Sequence, residues 1–132
     1  MRSSMDHVTD THSIVWYFTD DPHLSARALE AFEKTIKEGA IIIPTVVLAE
    51  IMYIAGKGKI TLTFDKTLQK IDSYENFIVA SLDVHILRVA EKIRINLEIH
   101  DKLIAATTLY YNASLITKDP LITKSGVCKV TW

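Results

Sequence analysis

The sequence predicts an α/β fold in which a mainly parallel central sheet of about five strands is flanked by helices. Three observations carry this reading. Segments with strand character alternate with segments whose apolar residues recur at helical spacing, along the whole chain. Ala40-Ile41-Ile42-Ile43 is a continuous apolar run, the pattern of a strand covered on both faces, as in a parallel sheet. The chain has 132 residues, nearly half of them apolar, which is enough to bury a full core but leaves no room for a second domain. No internal repeat or low-complexity linker divides it. One domain over 1–132 is expected, with residues 1–6 as a disordered or tag-like lead and Met5 as an alternative start.

The elements follow in order. Residues 8–10 read as a short first strand, and Thr11 or Ser13 is placed to cap a helix carrying Ile14, Val15, Trp16 and Phe18. Asp20-Asp21-Pro22-His23 is a turn. From 24 to 38 the residues Leu24, Leu29, Phe32 and Ile36 recur at helical spacing, and Gly39 stops the helix. The apolar strand at 40–43 ends at Pro44. A helix over 45–55 is closed by Gly56 and Gly58. Further helices are predicted over 63–73, 84–96 and 101–111, and further strands over 77–82 and 115–117. Asp119-Pro120 reads as a turn. Cys128, Val130 and Trp132 alternate along 127–132, which suits an edge strand.

Charge and cysteine content narrow the function classes. With 15 basic and 16 acidic side chains, the protein does not grip nucleic acid by net charge alone. An enzyme whose acidic pocket recruits cations remains compatible with that balance. Cys128 is the only cysteine, so an internal disulfide and a cysteine-built zinc site are excluded. No signal peptide or run of transmembrane length is visible, and a reducing, cytoplasmic setting is expected.

Four acids stand where α/β folds build sites. Asp10 and Asp119 each follow a predicted strand, and open α/β sheets bind ligands outside the carboxyl ends of their strands. Glu50 lies between Val46-Val47-Leu48-Ala49 and Ile51-Met52-Tyr53-Ile54, an almost wholly apolar helix. Asp101 begins a predicted helix, with the small residues Ala105 and Thr108 on its face leaving a hollow beside it. Each acid has an ordinary alternative. Asp10 and Asp101 suit helix caps, Asp119 before Pro120 suits a turn, and Glu50 suits a single solvated acid. Their joint placement is what points to a site. Clustered carboxylates raise one another's pKa, and a hard divalent cation such as Mg2+ or Mn2+ relieves the repulsion through oxygen ligands. An ion held this way assists phosphodiester hydrolysis. The five histidines show no zinc spacing, and Gly56-Lys57-Gly58 lacks the length of a phosphate-binding loop. Lys57, Lys59, Lys102, Lys118 and Lys124 are available to a phosphate backbone, although solvated lysines are the default.

These motifs resemble the PIN-domain ribonucleases, in particular the VapC-type toxins of bacterial and archaeal toxin–antitoxin pairs. Four segments carry the resemblance, which spans about Val8 to Trp132 in the family's order. They are Thr9-Asp10-Thr11-His12 with Ile14-Val15-Trp16, Pro44-Thr45-Val46-Val47-Leu48-Ala49-Glu50-Ile51, His100-Asp101-Lys102-Leu103-Ile104-Ala105-Ala106-Thr107, and Leu115-Ile116-Thr117-Lys118-Asp119. The third is the most specific, and the fourth has the family's Ser or Thr two residues before its last acid. The opening residues Asp6-His7-Val8-Thr9 are more polar than is usual in the family.

The resemblance implies a three-layer PIN-like sandwich. It implies that Asp10, Glu50 and Asp101 are metal ligands, that Asp119 completes the pocket directly or through water, and that Thr117 orients a carboxylate or a water. The expected function is a Mg2+- or Mn2+-dependent endoribonuclease with an RNA substrate, serving as a toxin with a cognate antitoxin. A PIN-fold RNA-processing nuclease without an antitoxin is the alternative. A homodimer is expected as well, because Trp16-Tyr17-Phe18 is more bulk than one helix face hides and related toxins pair. Two binding modules are the rivals from another class. A receiver-like signalling domain needs paired acids after its first strand and an acid on its third, and residues 77–82 hold none. A catalytically silent PIN fold does not fit a chain that keeps all four acids.

Overall fold

The computed structural model describes residues 6–132. Its elements are β1 (His7–Thr9), α1 (Thr11–Phe18), α2 (Ala26–Glu38), β2 (Ile41–Pro44), α3 (Thr45–Gly56), α4 (Phe64–Asp72), β3 (Phe77–Ala80), α5 (Val84–Glu91), α6 (Ile99–Tyr110), β4 (Ser114–Ile116), α7 (Pro120–Ser125) and β5 (Val130–Thr131). The strands form one five-stranded sheet in the order β3-β2-β1-β4-β5. Every pairing in it is parallel.

The burial of the strands shows that helices cover both faces. Successive side chains of a strand point to opposite faces. Ile41, Ile42 and Ile43 are all fully buried, as are Val8 and Thr9 of β1 and Leu115 and Ile116 of β4. Both faces of the sheet's centre are therefore packed, which gives the three-layer α/β arrangement. Phe32, Val47, Ile51, Ile104 and Ala105 join the strand residues in one core.

The strand order also creates the place for a site. From β1 the chain winds outward through β2 and β3, then crosses back so that β4 pairs with the other edge of β1. The register sets Thr9 beside Ile116. The residues after those two strands, Asp10 and Thr117 to Asp119, thus emerge together at the carboxyl edge of the sheet, where the winding direction switches.

Several boundaries differ from the sequence expectation. Asp6, read as part of the lead, is buried, and its carboxylate accepts a hydrogen bond from the Ala40 amide at 2.9 Å. The rest of that lead, residues 1–5, lies outside the described residues. The helix expected to reach residue 96 stops at Glu91. The β-branched Ile93 and Ile95 and then Asn96 lower helix propensity there, and Ile93 and Leu97 fill the core from an irregular link instead. Asp101 does not begin its helix. Glu98 caps α6 and Asp101 sits in its first turn. Asp119-Pro120, read as a turn, opens the short helix α7 with Asp119 as its cap and proline at the first position.

The bulk of Trp16-Tyr17-Phe18 is absorbed within the chain, so it gives no argument for a dimer. Phe18 stacks on Phe77, Tyr17 on Phe32 and Trp16 on His23. The large apolar side chains left in water lie elsewhere, among them Met52 and Tyr53 on α3 and Val84 and Leu87 on α5.

Because Ile42 is covered on all sides, Ile42→Ala is expected to lower unfolding stability by about 2–5 kcal/mol, as for deletions in packed cores. Urea unfolding followed by circular dichroism measures it. A loss under about 1 kcal/mol would be that of a half-exposed strand.

Candidate active site

The four acids come from four separate stretches of the chain and line one cavity of about 760 Å3. Asp10 follows β1, Glu50 projects from α3, Asp101 from the first turn of α6, and Asp119 caps α7. Thr11, Trp16, Glu98, His100 and Lys118 complete much of the wall. From α6 the cavity takes His100, Asp101 and Ile104, with Glu98 at the cap. The small residues Ala105 and Thr108, expected to leave a hollow beside Asp101, are buried in the core instead.

The ordinary capping roles and the convergence of the acids prove compatible. Asp10 caps α1, its Oδ1 accepting from the Ser13 amide at 2.9 Å. Its Oδ2 accepts from the Thr117 hydroxyl at 2.6 Å. That hydroxyl in turn accepts from the Asp119 amide at 3.1 Å. Thr117 is fully buried and stands behind the cavity wall, so it joins the two strand ends through their polar groups. Asp119 caps α7 through Oδ1 alone, accepting from the Leu121 and Ile122 amides at 2.8 and 3.1 Å. The Glu50 Oε1 accepts from the Thr11 hydroxyl at 2.6 Å, which ties α3 to α1.

Electrostatics show these groups sensing one another. Burial raises the pKa of Asp10, against hydrogen bonds from Ser13 and Thr117 that lower it. The Asp101 carboxyl is pushed up to about 6, first by burial and then by the charges of Asp119, Glu98, Asp10 and Glu50. Glu98 and His100 form a pair at 2.7 Å across the cap of α6. That hydrogen bond holds the Glu98 carboxyl below its usual range and the His100 imidazole above its own.

The cavity's donor set fits a hard cation. Most of its donors are carboxylate oxygens, with His12 and His100 also in the wall, and the charges that add to burial in raising Asp101 are ones that a divalent ion would offset. Among the described residues, no three His, Cys, Asp or Glu side chains are gathered tightly enough to hold an ion as they stand. Loading therefore requires side-chain adjustment.

Some residues at the site escaped the sequence reading. Thr11 and Ser13 appeared only as alternative helix caps, yet they hold Glu50 and Asp10. Glu98 was not singled out, although it stands three residues before Asp101, the spacing of an N-cap and the third residue of its helix. Of the five lysines set aside for a phosphate backbone, only Lys118 lines this cavity.

Comparison with known proteins agrees with the architecture. Residues 8–124 match the family model described as PIN domain. No curated protein matches the chain. Among solved structures, VapBC2 from Rickettsia felis, bound to a promoter DNA fragment, is similar at 19% identity and a TM-score of 0.70, over 95% of this chain and 96% of that one. DNA-bound VapBC from Salmonella typhimurium is similar at 16% identity and a TM-score of 0.70, with the same coverage of 95% and 96%. A toxin–antitoxin complex from Klebsiella pneumoniae matches at 18% identity and a TM-score of 0.63, over 94% of each chain. At these identities the likeness is one of fold. Among the described residues no helix is long and apolar enough to cross a membrane.

The raised Asp101 pKa gives a pH dependence of definite sign. A carboxyl with a folded pKa of about 6 and an unfolded one of about 4 binds more protons in the folded state between those values. Stability in EDTA is thus expected to fall as pH rises from about 4 to about 6. The raised Asp10 acts in the same direction, and the raised His100 does so above its ordinary range. The lowered Glu98 opposes them at the acid end. Thermal melts of the protein and of Asp101→Asn across this window isolate the effect. Parallel curves for the two would show that Asp101 is not strained.

Proposed function

We propose, from the premise that this chain belongs to the PIN-domain family, that it is a Mg2+- or Mn2+-dependent endoribonuclease and the toxin of a toxin–antitoxin pair. The observation that carries the reading is the meeting of Asp10, Glu50, Asp101 and Asp119, distant in sequence, in one cavity at the carboxyl edge of the sheet. These four carboxylates would hold the metal. When bound, such an ion supplies Lewis-acid polarisation of a phosphodiester and eases deprotonation of an attacking water.

The chain's own groups prepare the reaction. Ser13 and Thr117 fix both oxygens of Asp10, and Thr11 fixes one oxygen of Glu50, so these two carboxylates are anchored to the scaffold. Thr117 acts as a positioning residue, since it touches Asp10 and Asp119 and not the cavity. Lys118 on the rim is the one lysine or arginine of the lining, a charge to set against a substrate phosphate. Hydrolysis adds the water oxygen to phosphorus, breaks one P–O ester bond, and delivers a proton to the leaving oxygen. The carboxylate-lined cavity is suited to accept the proton released by the water.

The antitoxin partner is inferred from the similar folds, which include a toxin–antitoxin complex. A homodimer belongs to the same reading. The apolar residues that favour it are Val84 and Leu87, at 57% and 47% exposure and one helical turn apart on α5. A dimer is expected in light scattering, with the double change Val84→Glu and Leu87→Glu shifting it to monomer. A monomer at high concentration removes this part.

The decisive test is cleavage of labelled RNA by Asp101→Asn. Asn keeps the shape but withdraws a charge from the metal-binding set, so activity is expected to fall at least about a hundredfold, with circular dichroism unchanged. Asp101 is a cleaner position than Asp10, where an amide would face the Thr117 hydroxyl. Manganese should raise the melting temperature of the protein over its value in EDTA, and raise that of Asp101→Asn less. Full cleavage by the variant at saturating Mg2+ would overturn the assignment.

A further inference from the structure

Beside the carboxylate cavity lies a second cavity of about 570 Å3, and the two share Lys118 and Pro120 in their walls. Its chemistry is the opposite of its neighbour's. Arg27 from α2, Lys118 from the segment after β4, and Lys124 from α7 supply three cations, and Trp132, just past β5, supplies an aromatic wall. No acid is part of its described lining. Among the described residues, none of the three cations is ion-paired with a carboxylate. In a chain with a net charge of −1, such a grouping is a local departure from the mean surface.

Aromatic surface connects the two cavities. The Trp132 ring lies 6.0 Å from that of Trp16, which lines the carboxylate cavity. Trp16 stacks on His23 at 5.4 Å, and the Lys118 Nζ sits 5.9 Å over the Trp16 ring. Lys118 therefore stands at the junction, in contact with the aromatic surface and with both hollows.

We propose that the second cavity seats a nucleotide flanking the cleaved bond of single-stranded RNA, its base stacked on Trp132 and its backbone phosphate held by Arg27, Lys118 and Lys124. This rests on the nuclease reading above. A pocket of carboxylates repels the polyanion it has to cut, so adjoining positive charge is needed to bring a phosphate up to it. The aromatic wall narrows the ligand further. Every base has a flat π-face to lay on a ring, but only an unpaired base can reach one, which selects a single strand over a duplex. The cavity is also within the range that holds small organic groups. An acidic peptide would satisfy the cations and leave Trp132 unused.

Binding in EDTA separates this from catalysis. The probe is a fluorescent single-stranded RNA octamer, followed by anisotropy and by tryptophan quenching, with the matching duplex and a polyglutamate peptide as comparisons. Trp132→Ala is expected to weaken single-strand binding roughly ten- to a hundredfold, and Trp132→Phe to keep most of the affinity. Arg27→Ala and Lys124→Ala should each weaken it and each reduce the salt slope of log affinity by about 0.7. Circular dichroism checks folding. If Trp132→Ala does not fold, the Phe variant and the two cation variants decide. Affinities within twofold of the parent for all folded variants would overturn the proposal, as would duplex binding as tight as single-strand binding. Displacement by polyglutamate as effective as by RNA, with no dependence on Trp132, would assign the cavity to an acidic peptide and overturn it too. The two readings fail separately. A protein that binds RNA through these residues but cuts none would lose the nuclease assignment alone. One that cuts RNA through Asp101 with no dependence on Trp132, Arg27 or Lys124 would lose the seat alone.

Discussion

The hydrogen bond from the Thr117 hydroxyl to Asp10 joins residues 107 positions apart and fixes the geometry on which the rest of the site depends. It exists because β4 inserts beside β1 in parallel register and brings both chain exits to the same edge of the sheet. The same hydroxyl accepts from the Asp119 amide, so one buried oxygen sets the relation between the first acid and the last. Thr117 does this from within the protein, where water does not compete for its bonds. A serine could make the same two bonds. A valine would keep the volume and leave the Asp10 oxygen without its donor.

Around this link the protein accepts an electrostatic cost. A fold chosen only for stability would not aim four carboxylates into one hollow, and the raised Asp101 shows that cost. Much of the compensation is local. Asp10 and Asp119 each stabilise the first turn of a helix, and Glu98 does so for α6. Asp119 is tied to the scaffold by one oxygen, Asp10 and Glu98 by both, and the cavity draws on the lone pairs that remain. Helix capping and ligand binding are not competing explanations for these residues, because one carboxylate has enough lone pairs for both.

Legibility in the sequence followed the range of the forces involved. The central strands were plain because Ile41-Ile42-Ile43 must be covered on both faces whatever surrounds it. Asp10 and Asp119 were marked by their position directly after predicted strands. Glu50 stood out because its helix offers hardly another polar group. Helix ends were less clear. Ile93 and Leu97 continue the apolar spacing of α5 into a link that is not helical, since burial rewards apolar residues in any backbone conformation. Asp119-Pro120 carried a helix-start signal that is also a turn signal, and only the residues beyond it decide between them. The partners of Thr11 and Thr117 could not come from local pattern, although the family resemblance already implied that Thr117 orients a carboxylate or a water. Each depends on a partner at least 39 residues away, placed by the fold of the whole chain. The aromatic run at Trp16 misled because its partners His23, Phe32 and Phe77 come from a turn, a helix and a strand that lie beyond its own helix.

The crossing that sets β4 against β1 has a consequence in time. As the chain leaves the ribosome, β1 can pair with β2 early, but its second edge stays open until residues 114–116 have been made and have crossed back. That pairing has the highest loop-closure cost of any in the sheet, and contacts of such long range form late in folding. Asp101 is made just before that strand and Asp119 just after it. The cavity is therefore among the last features to be assembled, and a nascent chain harbours three-fifths of the sheet while having no competent centre. Synthesis itself thus supplies an interval in which one edge of β1 stands open and the carboxylate hollow is still incomplete.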